Sequence, residues 1–319
     1  MTLLSIDHLI TYYKTLSGTV KAVDDVSLKL EKGDALGLAG ESGCGKTTTM
    51  LSLMRLLPSN GKIISGTIDF DGIDLISMDE EELREKIRWK RMSMIFQGAM
   101  NALNPVFRIG DQLVQAIRVH EDVTKEEAMK RVEELFTLVG IDPKRVRDYP
   151  HEFSGGMKQR AVIALSLVSN PDLVIADEPV TALDVVVQAQ ILELMRNLRN
   201  QLNLSMILIT HDLSVIADTC NKAAIMYAGK IVEQGDILTI FKNPEHPYSQ
   251  GLITNYPSIK GRRMIFKPIS GRPPNLIDPP SGCRFNPRCP YVMDICKKEV
   301  PETLDIGRGH YIACHLKTL

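Results

Sequence analysis

Two short apolar runs, DLVIADE at 172–178 and SMILITH at 205–211, flank VVVQAQILELMRNLRNQL, whose apolar positions recur at helical spacing. Short runs without alternation suit strands buried on both faces, so this strand, helix, strand unit predicts a parallel sheet covered on both sides. Upstream, TVKAVDDVSLKLEKGDALGLA at 19–39 falls into short β-prone runs ending at Gly40. Helix formers follow from Lys46 to about Leu57, closed by LPSNG. The plan there is strand, Gly-rich loop, helix. SGTIDFDGIDL reads as a hairpin turning on Asp71-Gly72. Between about Gly98 and Pro150 the pattern is helical, with IGDQLVQAIRVH and TKEEAMKRVEELFTLVG, the second capped by Thr124 and punctuated by Gly140. After about Phe241 the chain turns Pro-rich and irregular (NPEHPYSQG, GRPPNLIDPPSG), the texture of an appendage with little core of its own. No internal repeat is visible, so the plan occurs once.

A chain of 319 residues suggests about two domains, or one large domain with an appendage. With 44% hydrophobic and 24% charged residues it reads as an ordinary globular protein. A formal net charge of -1 gives no electrostatic footprint for nucleic acid, and no nucleic-acid partner is expected. The opening MTLLSIDHLITYY lacks a basic region followed by an apolar core and cleavage site, so export is not expected. Stretches such as AVIALSLV fall far short of the ~20 residues needed to cross a bilayer. The expectation is a cytosolic chain whose thiols stay reduced.

GESGCGKT, Gly40 to Thr47, fits the phosphate-loop pattern G-x4-G-K-[ST] between a predicted strand and a predicted helix. Gly40, Gly43 and Gly45 let backbone N–H groups, with those of Ser42, Cys44 and Thr48, wrap phosphates at the positive end of the helix. Lys46 supplies a mobile charge, and the Thr47 hydroxyl can hold magnesium. ATP and Mg2+ are therefore expected. Hydrolysis also needs carboxylates. LVIADEP sets Asp177 and Glu178 at the end of a buried strand, on opposite sides of the pleat. Asp177 is assigned to magnesium and Glu178 to the general base, since a base must stand apart from the ion.

Here the sequence resembles the ATP-binding cassette (ABC) ATPase family. FSGGMKQR at 153–160 looks like its LSGGQ signature, with Phe153 and Met157 replacing Leu and Gln. The resemblance implies that Ser154, Gly155 and Gly156 bind the γ-phosphate of a nucleotide held by a second ABC ATPase subunit, a paralogue or another copy. It also implies roles for Gln97 in IFQGAM, beside magnesium and water, for Asp184 in TALD, at the dimer contact, and for His211 in LITHD, as the switch histidine. Thr181 stands where serine is commoner. An aromatic upstream of the loop stacks on adenine in this family, and Tyr13 is preferred to Tyr12 because alternation lets only one face the nucleotide. The fold implied is α/β: a RecA-like P-loop core with an antiparallel β subdomain, a helical subdomain and a small irregular extension. Residues 1–240 would form the nucleotide-binding domain, with the helical subdomain at about 98–160, and 241–319 the extension.

ALNPVFRIGDQL and NPEHPYSQGLI narrow the resemblance to dipeptide/oligopeptide importer ATPases. That implies an ATPase motor peripheral to the cytoplasmic face of the membrane, with two permease subunits and an external peptide-binding protein. A non-transport ABC ATPase of DNA repair or the ribosome, or import of a small solute such as nickel, are the competing readings.

Four of the six cysteines, Cys283, Cys289, Cys296 and Cys314, follow residue 282 at spacings x5, x6 and x17. In a reducing compartment a metal staple is favoured over disulfides or free thiols. The spacing is wider than paired zinc knuckles, and Cys289-Pro290 is similar to the Cys-Pro of ferredoxin runs. The importer resemblance implies a [4Fe-4S] cluster on these four, with zinc as the alternative, in a structural or redox-sensing role. Cys44 belongs to the phosphate loop, and Cys220 is read as a buried hydrophobe.

Overall fold

Strand β1 (Thr2–Thr15) pairs antiparallel with β2 (Gly18–Glu31), through Leu4↔Leu30, Leu9↔Val26 and Thr11↔Val23. The computed structural model describes residues 1–254 and 269–317, and two compact units, Met1–Ile76 with Ile209–Leu319, and Ser77–Leu208. The two strands run far longer than the short segments expected, because a bulge resets their alternation midway. His8 (φ 52°) on β1 and Asp25 (φ 68°) on β2 take the left-handed conformation, and the buried set passes from Leu4 and Ile6 to Leu9 and Thr11. The inward parity thereby changes from even to odd.

All five residues of β3 (Ala35–Ala39) are buried. The Gly-rich loop follows, then the helix Lys46–Leu53. That helix stops short of the expected Leu57: Met54 caps it and Arg55 (φ 51°) turns the chain away. Strands β4 (Gly61–Phe70) and β5 (Ile73–Asp74) form the expected hairpin. Its turn residues Asp71 and Gly72 both have positive φ (53° and 84°), as a type I′ turn requires. The order in this sheet is β2-β1-β4-β5.

In the second unit β6 (Met92–Ile95) lies parallel to β7 (Leu173–Asp177), and β8 (Ser205–Ile209) follows in the order β8-β7-β6. Helices Ile109–His120 and Lys125–Leu138 fill the segment predicted to be helical. Thr124 caps the second through a full capping box: its hydroxyl accepts from Glu127 N (3.2 Å), and Glu127 Oε2 accepts from Thr124 N (2.9 Å). Leu113, Ile117, Val132 and Phe136, all fully buried, make its core with Phe153.

The chain returns to the first unit with the helix Leu213–Thr219 and β9 (Lys222–Tyr227), parallel to β3. Strand β10 (Lys230–Asp236) doubles back antiparallel after a turn in which Ala228 (φ 48°) and Gly229 (φ 85°) are both left-handed. Helices Ile237–Lys242 and Pro247–Thr254 follow. The Pro-rich segment is better anchored than its composition suggested. Strands β11 (Thr303–Asp305) and β12 (Tyr311–Ala313) extend the sheet by pairing β12 against β10, Glu233↔Ile312. Tyr227, Tyr248 and Phe285 meet with ring centroids 4.6–5.4 Å apart, a small aromatic core. Glu233, fully buried, accepts from Glu245 N (2.8 Å) and His246 N (3.1 Å) and pairs with His310 Nε2 (2.7 Å).

Candidate functional site: the nucleotide site and the cysteine locus

Strand β3 delivers the chain into Gly40 at φ 152°, and Gly45 at φ 107° starts the next helix. A Cβ on Gly40 would collide with the Met226 carbonyl oxygen, and one on Gly45 with that of Ala22, so both positions demand glycine. A Cβ on Gly43 would meet nothing within 4 Å: that side of the loop is an open cradle. Lys46, 8% exposed, donates from Nζ to Gly40 O (2.8 Å) and Glu41 O (3.0 Å) and lies 3.6 Å from Cys44 Sγ. Burial pushes the Cys44 thiol up against the pull of the Lys46 ammonium. No side chain caps the helix Lys46–Leu53 at Gly45, and the positive end of a helix favours an anion.

The bulge in β1 sends the two tyrosines to opposite faces. Thr11 and Tyr13 share the face toward the helix Lys46–Leu53: Thr11 Oγ1 shares a 2.8 Å hydrogen bond with Ser52 Oγ, and Tyr13 OH donates to Thr48 Oγ1 at 3.3 Å. Tyr12 has the opposite parity and donates to Asp24 Oδ1 (2.6 Å). Its phenol is pushed up to about 12, first by burial and then by the Asp24 carboxylate. His211 is exposed just beyond Ile209, beside the buried Thr210.

In the second unit, Asp177 is 2% exposed at the end of β7. Glu178 follows with φ 49°, a left-handed conformation held in a non-glycine residue. Its Oε2 accepts from Gln97 Nε2 (2.9 Å) and from Thr181 Oγ1 (3.0 Å). Threonine at 181 thus supplies the hydroxyl that serine would. Ser154 caps the helix Gly155–Ser166, accepting from Met157 N at 3.3 Å. Asp184 caps Val185–Leu202, accepting from Val187 N at 3.0 Å. The two helix starts are close, since a Cβ on Gly156 would stand 2.7 Å from Val187 Cγ1. Phe153, 5% exposed, is buried with its ring 6.4 Å from Phe136 and Arg145 stacked over it at 5.0 Å. The aromatic substitution fills the helical core.

Cys283, Cys289, Cys296 and Cys314 are all unbridged, and the last two are 8% exposed. Cys283 N donates to Cys296 O at 2.8 Å. Burial pushes the Cys283 thiol up to about 11, and the thiols of Cys296, Cys314 and Cys289 act in the same direction. Among the described residues no three His, Cys, Asp or Glu side chains converge as ligands of a single ion. Neither the expected [4Fe-4S] cluster nor the zinc alternative therefore finds a converged set of ligands among the described residues. Cys220 is buried, as expected of a hydrophobe.

A family model described as "ABC transporter" matches residues 23–181, and one described as "Oligopeptide/dipeptide transporter, C-terminal region" matches 232–296. The dipeptide transport ATP-binding protein DppD of Bacillus subtilis (strain 168) is 45% identical over 317 residues, 98% of this chain and 94% of that protein. The chain belongs to the ABC transporter family. It is an ABC ATP-binding subunit, an ATPase. The oligopeptide transport ATP-binding protein OppD of Escherichia coli (strain K12) is 44% identical over 314 residues, 98% of this chain and 92% of that one. Among solved structures, the ATP-binding cassette MJ0796, a dimer bound to ADP and Pi, shares the fold with a TM-score of 0.65 at 23% identity, covering 73% of this chain and 98% of its own. CbiO1 from Clostridium perfringens, described as part of the ABC transporter complex cbiONQ, gives 0.65 at 26% identity, covering 76% and 91%. The architecture is thus the RecA-like ABC cassette, with its antiparallel and parallel sheets and its helical part.

One residue of this ABC subunit's phosphate loop escaped sequence reasoning. Glu41, between Gly40 and Ser42, sends its carboxylate to Arg288, 247 positions later. No local pattern announces such a pair.

Proposed function

We propose that this ABC subunit hydrolyses ATP to drive import of dipeptides or oligopeptides, bound peripherally to two membrane permeases fed by an external peptide-binding protein. The observation that carries this reading is the near full-length likeness to DppD and OppD, extending through the 232–296 region. No helix among the described residues is long and apolar enough to cross a membrane, so the membrane path belongs to partner subunits on this reading. Residues 1–240 act as the nucleotide-binding domain, with the helical subdomain at about 98–160, and 241–319 as the extension.

Chemically, Gly40, Ser42, Gly43, Cys44, Gly45 and Thr48 cradle the phosphates with backbone N–H groups, Lys46 adds its charge, and Tyr13 stacks on adenine. The hard oxygens of Thr47, Asp177 and Gln97 suit Mg2+, which when bound neutralises phosphate charge. Glu178, oriented by Gln97 and Thr181, takes a proton from the attacking water as the bond to the γ-phosphorus forms and ADP leaves. Ser154, Gly155 and Gly156 complete the site of a second ABC ATPase subunit across a dimer, with Asp184 at the contact and His211 responding to the γ-phosphate. On the resemblance to the importer ATPases, Cys283, Cys289, Cys296 and Cys314 would hold a [4Fe-4S] cluster, with zinc as the alternative.

The test is reconstitution in liposomes with peptide-importer permeases and a peptide-binding protein from the same cell, measuring uptake of a radiolabelled dipeptide driven by internal ATP. Uptake that needs ATP and is competed by peptides supports the proposal. Uptake of nickel but not peptide, or failure of the chain to co-purify with any membrane subunit, overturns it.

A further inference from the structure

The segment CRFNPRC, Cys283 to Cys289, reaches from the cysteine locus to the phosphate loop with two arginines. Arg288 grips Glu41 with both arms of its guanidinium, Nη1 to Oε2 at 2.6 Å and Nη2 to Oε1 at 2.9 Å. The same guanidinium donates to Tyr227 OH (3.2 Å) and Ser270 O (2.8 Å) and stacks over the Tyr227 ring at 5.6 Å. The Arg288 side chain is 6% exposed and that of Glu41 28%, so the pair is part-buried and water screens it less than a surface pair. From the other side of Glu41, its backbone N–H donates to the hydroxyl of Tyr248 (3.0 Å), a tyrosine with no exposed surface.

Arg284, four residues earlier, donates to Ala228 O and pairs with Asp24. Ala228 begins the turn whose Gly229 N donates to Cys44 O (2.8 Å), the middle of the phosphate loop. Phe285, between the arginines, is wedged against Tyr227 and Tyr248. The loop is therefore fixed at Glu41 side chain, Glu41 N–H and Cys44 carbonyl, all by groups that CRFNPRC touches directly or through one neighbour. A cradle of backbone N–H groups binds phosphate only when those groups already point inward, and an oriented loop saves the ordering entropy that binding would otherwise oppose.

We propose that Arg288 and Glu41 are positioning residues for nucleotide binding, a part-buried bidentate pair that holds the phosphate loop of this ABC subunit in its phosphate-receiving shape. Neither residue touches phosphate. The pair acts through the loop's backbone, and it stands whether or not the nearby thiols hold a cluster.

The experiment is a double-mutant cycle on the full-length chain, reading the dissociation constant of a fluorescent ATP analogue with magnesium, and the thermal midpoint of each variant. Arg288→Gln and Glu41→Gln should each weaken binding about tenfold, the loss expected of one charge-assisted bond, and Arg288→Gln/Glu41→Gln also about tenfold, because the two act as one unit. Arg288→Lys, which keeps the charge but loses the fork, should recover part of the affinity. The loss should fall on KM for ATP more than on kcat. Unchanged affinity in Glu41→Gln, losses that multiply to about a hundredfold in the double variant, or losses that vanish when each variant is assayed well below its own thermal midpoint would each overturn the proposal. Should Arg288→Gln fail to fold, Glu41→Gln beside Arg288→Lys decides the question alone.

Discussion

Glu178 combines two features that seldom meet in one side chain: a left-handed backbone and a carboxylate oxygen that accepts two side-chain hydrogen bonds. Strain of that kind costs on the order of 1–3 kcal/mol and persists only where the surroundings over-determine it. Here Gln97 and Thr181 both donate to Oε2 and fix the carboxylate from two directions. Glu178→Gln keeps the shape and one acceptor oxygen but removes the base. Turnover should fall roughly 10²–10⁴-fold while ATP affinity stays near that of the wild type, checked by phosphate release alongside nucleotide titration. Near-normal steady-state hydrolysis would remove Glu178 from its assigned role. The same residue shows how far sequence reaches. That a carboxylate stands at the end of a buried strand is readable from LVIADEP, but its φ of 49° is not, since nothing local distinguishes it from an extended position.

Among the elements, those whose signals are local were legible. The Asp71-Gly72 hairpin, the Thr124 cap, the buried strands Leu173–Asp177 and Ser205–Ile209 and the helix between them follow from turn chemistry and periodicity. The bulge at His8 and Asp25 was not, because a change of inward parity needs a partner strand to reveal it. Nor were β11 and β12, three residues each, too short for alternation to register. The junction around Glu233 was equally hidden, yet it yields a measurable consequence. His246, 1% exposed, accepts from Tyr248 N at Nδ1 (3.0 Å), and burial pushes its imidazole down to about 3. The folded ring is neutral while the unfolded one titrates near 6.5, so the unfolded state binds the extra proton and stability falls as pH drops below 6.5. Between pH 7 and 5 the wild type should lose about 2 kcal/mol more unfolding free energy than His246→Asn, measured by urea denaturation at each pH. Parallel profiles for the two proteins would contradict this.

At the scale of the whole molecule, the reading of the cysteines predicts a colour. Protein purified without oxygen should be brown with broad visible absorption, and should lose it when any one of Cys283, Cys289, Cys296 or Cys314 becomes serine, while Cys44→Ser leaves it unchanged. Colourless protein carrying one zinc and no iron would replace the cubane with the alternative. The brace on Glu41 has a different kind of consequence, one of timing. Arg288 lies 247 positions beyond the residue it grips. A ribosome adding about 5–20 residues per second needs roughly 12–50 s to make that interval. For that time the nascent chain carries a complete phosphate-loop sequence without the arginine that shapes it. On this account the last, roughly tenfold, gain in ATP affinity arrives only as synthesis nears the cysteine-rich segment, so a half-made motor holds nucleotide more loosely than the finished one.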